Sequence, residues 1–275
     1  MDILRKSLAP ISDAAWNEIN DQAKITLKGN LSARALVDVS GPHGFDLSAV
    51  NLGRLETGKA KSEGGGEWGV RKVQPLVETR VPFTLNIWDL DDVARGAKDP
   101  ELEPLEDAAR KAALFEERAV YQGFKDGAIE GMIPASPHKA IPLSKNANDY
   151  QATVEEGILA LQETGIPGDF SLVLGTVPYK LLMQGDDKGY PLQERIKKIL
   201  GGDILWSPAL KGGVVLSTGE DWYELTLGVD YSIGYLGHTA ENVKLYLTSS
   251  FTFRVLEPRA AEYCVRPGED VRVLI

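Results

Sequence analysis

Cysteine is almost missing. The chain of 275 residues holds one, Cys264, so no intramolecular disulfide can form, and a lone thiol is what a reducing compartment permits. Histidine is nearly as scarce: His43, His138 and His238 fall one to each broad region, without the H-x-x-x-H or C-x-x-C spacing that seats a metal. No run of 18 apolar residues occurs, which excludes a membrane-spanning helix of ordinary composition. The opening MDILRKSLAPISDAAW has a basic pair but no unbroken apolar core and no small-residue cleavage site, so it reads as no secretory leader and the expected location is cytoplasmic. Positive charge is also short. Thirty Lys+Arg against 40 Asp+Glu leave −10, the wrong sign for a surface that grips phosphate backbones, so nucleic acid is not the expected partner. With 43% hydrophobic and 25% charged residues, the chain is globular rather than disordered, collagen-like or a coiled coil, and it is long enough to bury a substantial core.

Local pattern then divides the chain. Ser12 reads as an N-cap, and Trp16, Ile19, Ala23 and Leu27 recur at helical spacing until Gly29-Asn30. Residues 36–58 read as short strands broken by Gly41-Pro42 and Gly53. KAKSEGGGEWG follows as a glycine-rich tip, and then comes a long extended stretch interrupted by Pro75 and Pro82. Two extended arms around such a tip predict a hairpin that is marginal alone in water and pairs with something outside its own domain. Leu105, Ala108, Ala112, Phe115 and Ala119 mark one face of the longest helix, from about Pro104 to Gly123. Helix and strand alternate from about 135 to 220, and the last third is rich in strands, with the tail from Pro258 expected to lie on a surface.

Chemical motifs are weak. Gly64, Gly66 and Gly69 match G-x-G-x-x-G, but extended chain follows where a dinucleotide site needs a helix. G-x-x-x-x-G-K at Gly53–Lys59 continues with Ala60, where a phosphate loop needs a Ser or Thr hydroxyl. No G-x-S-x-G elbow is present, and Cys264 lacks the neighbours of a catalytic thiol. Asp89, Asp91 and Asp92 read as capping and dipole partners of a short helical turn. No catalytic and no metal-binding residues are assigned.

Taken in order, LVDVSGP (36–42), RKVQPLVETRVPFTLNIWDLDDVARG (71–96), GDFSLVLGT (168–176), GYPLQERIKKIL (189–200), GDILWSPAL (202–210), LGVDYSIGY (227–235) and VKLYLTSSFTF (243–253) resemble encapsulin shell proteins of family 1, nanocompartment subunits with the HK97 phage-capsid-like fold. The resemblance implies an α+β fold with a P-domain, an A-domain and an extended E-loop hairpin. Residues 1–47 would hold the inward-facing N-terminal helix and the start of the P-domain, 48–80 the E-loop, 81–134 the P-domain with its spine helix, 135–220 the A-domain, and 221–275 the P-domain strands and the tail.

The resemblance further implies a homo-oligomer of 60 or more copies that closes into an icosahedral shell, with no catalysis of its own and no membrane partner. Its cargo would be a ferritin-like protein or a dye-decolourising-type peroxidase, serving iron storage or defence against oxidative stress, captured through a carboxy-terminal targeting peptide. Leu27, Arg34, Asp38, Asp230, Ile233, Gly234 and Tyr235 match the positions that bind this peptide. An internal ion-pair network is the alternative for Arg34, Asp38 and Asp230. Asp186, Asp187, Lys188 and Tyr190 fall where the family lines its five-fold pore, where a repeated acidic ring would draw in cations. No cofactor is required. Trp88 is open to stacking on a flavin ring, although a Trp ending a strand packs more often in the core. The competing readings are a prophage major capsid protein that packages DNA and a protease or bacteriocin-like protein.

Overall fold

A computed structural model describes residues 3–58, 66–187, 189–219 and 221–265. In chain order the elements are α1 (Asp13–Lys28), β1 (Asp38–Ser40), β2 (Ala49–Thr57), β3 (Gly69–Pro75), β4 (Val77–Asn86), α2 (Ile87–Arg95), α3 (Glu103–Gln122) and α4 (Met132–Ala135). They continue with β5 (Ile141–Pro142), α5 (Tyr150–Glu163), β6 (Phe170–Leu174), α6 (Thr176–Gln184), β7 (Asp186–Asp187), β8 (Tyr190–Pro191), α7 (Leu192–Leu200) and β9 (Gly201–Trp206). The last are β10 (Gly213–Ser217), β11 (Tyr223–His238), β12 (Asn242–Val255) and β13 (Ala261–Val265).

Two sheets organise the chain. One runs β1-β11-β12-β4, and its long central pair, β11 and β12, is antiparallel with three register shifts that bend it. The other runs β5-β13-β10-β6-β9. All five residues of β6 and of β10 are buried, as expected for strands covered on both faces.

α3 joins the two. Pro104 in its first turn fits the missing amide there, and Gly123 ends it with positive φ. Its first half presents Leu105, Ala108, Ala109, Ala112 and Ala113 to a core shared with α1 residues Ala15, Ile19, Ala23 and Leu27 and with Phe83, Leu85, Leu245 and Leu247 of the first sheet. Its last turns place Ala119, Val120 and Tyr121 in the other core, with Val173, Leu174, Val214 and Val215. Alanine at four successive inward positions lets the helix backbone sit close to the strands, and α1 enters this packing through a cap in which Ser12 Oγ accepts the Ala15 amide at 3.3 Å.

The hairpin forms from β2 and β3, paired from Ala49 opposite Pro75 to Thr57 opposite Gly69, with a bulge at Gly53, whose φ is +64°. The glycine-rich residues 59–65 lie outside the described residues. Leu55, Trp68, Val70 and Val73 are each at least half exposed on this arm.

Three boundaries differ from the sequence reading. The arm ends at Pro75, and residues 77–80 belong to β4, because Val77 pairs with Phe251 and the strand is held along its length by β12. The tail does not lie on a surface as far as Val265: β13 inserts between β10 and β5, with Cys264 opposite Gly213 and Ile141, since Ala261 and Cys264 are apolar enough to be buried there. Residues 266–275 lie outside the described residues. Asp89, Asp91 and Asp92 sit inside α2 rather than ahead of it, and the cap is Asn86, whose side-chain oxygen accepts the Trp88 amide at 2.8 Å.

Leu245 is fully buried between α1, α3 and β4. Leu245→Ala should therefore cost about 2–5 kcal/mol, read as a lowered midpoint in chemical unfolding.

Candidate functional site

A groove of about 910 Å³ opens where the end of α1 meets β11 and β9. Ala23, Leu27 and Leu31 line one wall, Tyr179, Leu205 and Trp206 the other, and Ile233 and Leu247 the floor. The walls come from different parts of the fold: the first from α1 and the turn after it, the second from α6 and β9 of the five-stranded sheet. The lining is chiefly apolar, with polar groups at the edge, the make-up of a site for a partly apolar ligand.

Arg34 stands at that edge in the short turn Ala33–Ala35. Its Nε and Nη2 donate to the two carboxylate oxygens of Glu116 at 2.6 and 2.8 Å, and its Nη1 donates to Asp230 Oδ1 at 2.8 Å. The guanidinium lies 5.0 Å over the Tyr231 ring, whose hydroxyl donates to the Ala112 carbonyl. Burial alone would lower the guanidinium pKa, but the bonds to Glu116 and Asp230 outweigh it and hold the pKa above its ordinary value. Arg34 and Asp230 are thus an ion pair and groove-edge residues at once. Glu116 is fully buried, and its charge is matched by Arg34.

Beside it, Glu117 is equally buried and accepts three donors: the hydroxyls of Ser32 and Ser207 at Oε2, each at 2.5 Å, and the Ala33 amide at Oε1 at 2.8 Å. Tyr121 Oη and Ser32 Oγ lie 2.9 Å apart. Burial pushes the Glu117 carboxyl up to about 7, against the downward pull of its hydrogen bonds. Neither glutamate stood out in the sequence; the only available sign was a pair of acids inside the Ala-rich stretch whose neighbours mark the buried face of a helix.

Of the seven residues matched to peptide binding, Leu27, Arg34, Asp230 and Ile233 meet in this groove. The other three lie elsewhere. Asp38 starts β1 opposite Glu224, six residues along β11 from Asp230, and its carboxylate accepts the Asp221 amide at 2.8 Å. Gly234 is covered by the Tyr246 ring, which a side chain there would strike. The Tyr235 amide donates to the Leu4 carbonyl, and its hydroxyl pairs with His238 Nδ1 at 2.5 Å. Period-two alternation explains part of this: on β11, neighbours of Ile233 point to the opposite face.

The acidic loop forms the two-residue pair β7–β8, with Asp187 opposite Tyr190. Lys188 lies outside the described residues, and the exposed Tyr190 ring carries the Lys198 ammonium at 5.2 Å. Trp88 is 63% exposed in the first turn of α2, not packed in the core, and stands outside the groove. An exposed indole face can stack on a planar ring.

The three histidines are hydrogen-bonded, His43 to Ser40, His138 to the Arg259 carbonyl and His238 to Tyr235. Among the described residues no group of three metal-ligating side chains gathers. No helix among the described residues is long and apolar enough to cross a membrane. Cys264 is buried, and burial pushes its thiol up to about 12.

Comparison with known proteins gives one consistent answer. The model of a family described as "Encapsulating protein for peroxidase" matches residues 1–252. The type 1 encapsulin shell protein of Rhodospirillum rubrum is 41% identical over 95% of both chains, and that of Rhodococcus erythropolis 40% identical over 92% of this chain and 96% of its own. The virus-like particle of Pyrococcus furiosus superposes with a TM-score of 0.65 at 16% identity, covering 90% of this chain and 98% of its own. Gordonia phage Cozz does so at 0.56 and 13%, covering 87% of each. The fold is the α+β fold of HK97-type capsids.

Two outcomes follow from the buried groups. Arg34→Met strands the Glu116 charge and should destabilise the chain by about 3–5 kcal/mol in chemical unfolding. A thiol reagent at neutral pH should leave the native protein unlabelled and modify one equivalent after denaturation, because the thiolate is the reactive form and Cys264 is the only cysteine.

Proposed function

The chain belongs to the family of encapsulating shell proteins, and from that premise we propose that its groove captures the carboxy-terminal targeting peptide of a cargo enzyme on the inner face of a closed shell. Its role is structural, as in its encapsulin relatives, and not catalytic. Assembly into a multi-copy shell accords with both the family and the capsid fold. The observation that carries the peptide reading is the groove itself. Leu27, Leu31, Leu205, Trp206 and Ile233 offer apolar pockets along an open channel, and Arg34 and Asp230 stand at its edge to meet backbone or charged groups of an extended segment.

The cargo is a ferritin-like protein or a dye-decolourising-type peroxidase; the family's description, which names a peroxidase without its type, favours the second class. Iron storage or peroxide defence would then reside in the cargo. The loop at Asp186 and Asp187 lines the pore at the five-fold axis, where repetition makes an acidic ring that favours cations. Shell formation needs no cofactor; a flavin at Trp88 would rest on one exposed face. The phage-capsid reading is supported by fold alone, whereas identity near 40% is to encapsulin shells, and the −10 charge per chain suits protein cargo better than a genome.

The test is a fluorescent protein carrying the last ten residues of the ferritin-like or peroxidase gene beside that of the chain, co-expressed with it. Ile233→Asp, or Leu31→Asp at the half-buried wall, should leave shells intact and abolish co-purification of the reporter, because a charge in an apolar groove is costly. Unchanged co-purification with both variants would refute the groove as the capture site.

A further inference from the structure

The walls of the groove meet at one buried atom. Ser32 lines the first wall, and Ser207 directly follows Trp206 of the second. Both hydroxyls donate to the same oxygen, Glu117 Oε2, each at 2.5 Å. The other oxygen takes the Ala33 amide, and Ser207 Oγ in turn receives the Ala209 amide at 3.3 Å. We propose that Glu117 is a positioning residue of the groove, holding its two walls at the separation that an extended peptide requires. This rests on the peptide-capture reading above.

Stability alone does not account for a carboxylate here. A buried acid costs desolvation, and an apolar side chain of the same size would serve a core at least as well. What the carboxylate supplies is an acceptor for several donors at once, and of those donors Ser32 lines the groove while Ser207 follows Trp206, which does. The first wall is thereby tied to α3, and so is the segment leaving β9. Gln122, on the same helix, adds a bond to the Ala209 carbonyl at 2.7 Å.

The tie depends on protonation. A proton on Oε2 takes one of the acceptor positions into which two hydroxyls donate, so one serine must reverse its bond and accept from a neutral carboxyl, and the charge-assisted tie to its wall is weakened. The carboxyl titrates near 7, within reach of ordinary pH changes. The groups around it are Glu116 and Tyr121 on α3, Arg34 on the adjoining turn, which neutralises Glu116, and Asp230 and Tyr231 on β11; the segment after β9 contributes the Ser207 hydroxyl. Capture therefore weakens as pH falls through about 7. Folding stability moves the other way. A carboxyl whose pKa is raised in the folded state contributes stability below its ordinary pKa and loses it as pH rises through the folded value.

The experiment measures binding of a fluorescein-labelled peptide, the ten-residue tail named above, to cargo-free shells of the full chain by anisotropy between pH 8 and 6. Wild-type affinity should fall about tenfold over that range, since only the ionised fraction is competent. Glu117→Gln should bind weakly and without pH dependence, Glu117→Asp should regain the slope, and Ser207→Ala should weaken binding by itself. Should Glu117→Gln fail to assemble, Ser207→Ala and Glu117→Asp decide. Wild-type affinity and slope in the Glu117 and Ser207 variants, with Ile233→Asp still inactive, would overturn the positioning role alone; full binding by Ile233→Asp as well would instead overturn the groove.

Discussion

Everything in the fold is referred to α3. Its alanine-rich half packs against the first sheet, its last turns enter the core of the second, and between them stand Glu116 and Glu117, two adjacent buried acids. Each has a different neutraliser. Arg34 meets Glu116 with a bidentate fork, while Glu117 relies on hydroxyl and amide donors. Those partners belong to the turn after α1 and to the segment after β9, and Arg34 passes the link on to Asp230 of β11. The groove is the space these elements leave between them, and its geometry follows from the burial of those two charges.

The chain does not bury all its apolar surface by itself. The β2–β3 arm holds Leu55, Trp68, Val70 and Val73 in the open, and it has two strands where three or more are needed for independent stability. Such an arm becomes favourable only against a neighbour. A heterologous contact of this kind, repeated by rotation until it closes, is how one chain builds a shell. On the proposed reading the arm and the groove serve separate ends, assembly and loading.

Much of this was legible in the sequence because it is local or periodic. Ser12 and Gly29 bound α1, the Leu105–Ala119 stripe located α3 within one residue at either end, and the glycine-rich tip marked the hairpin. Leu27, Arg34, Asp230 and Ile233, far apart in the chain, line one groove. What was not legible is long-range. Nothing near β13 announces that it crosses into the five-stranded sheet, since its partners Gly213 and Ile141 lie far away in the chain. Asp38 and Tyr235 share strands with groove residues but are displaced along β11 or turned from it, a matter of register that composition does not encode. Glu117 was missed because an acid in a helix is ordinarily solvent-facing, and its donors Ser32, Ala33 and Ser207, which make its burial tolerable, lie 85, 84 and 90 residues away.

The central claim is that this one chain closes into a hollow shell. Light scattering on a sizing column, with negative-stain microscopy of the same fraction, tests it most directly. The account predicts hollow spheres of roughly sixty or more copies, above a megadalton in mass. A stable 30.0 kDa monomer or small oligomer across salt and pH would contradict it.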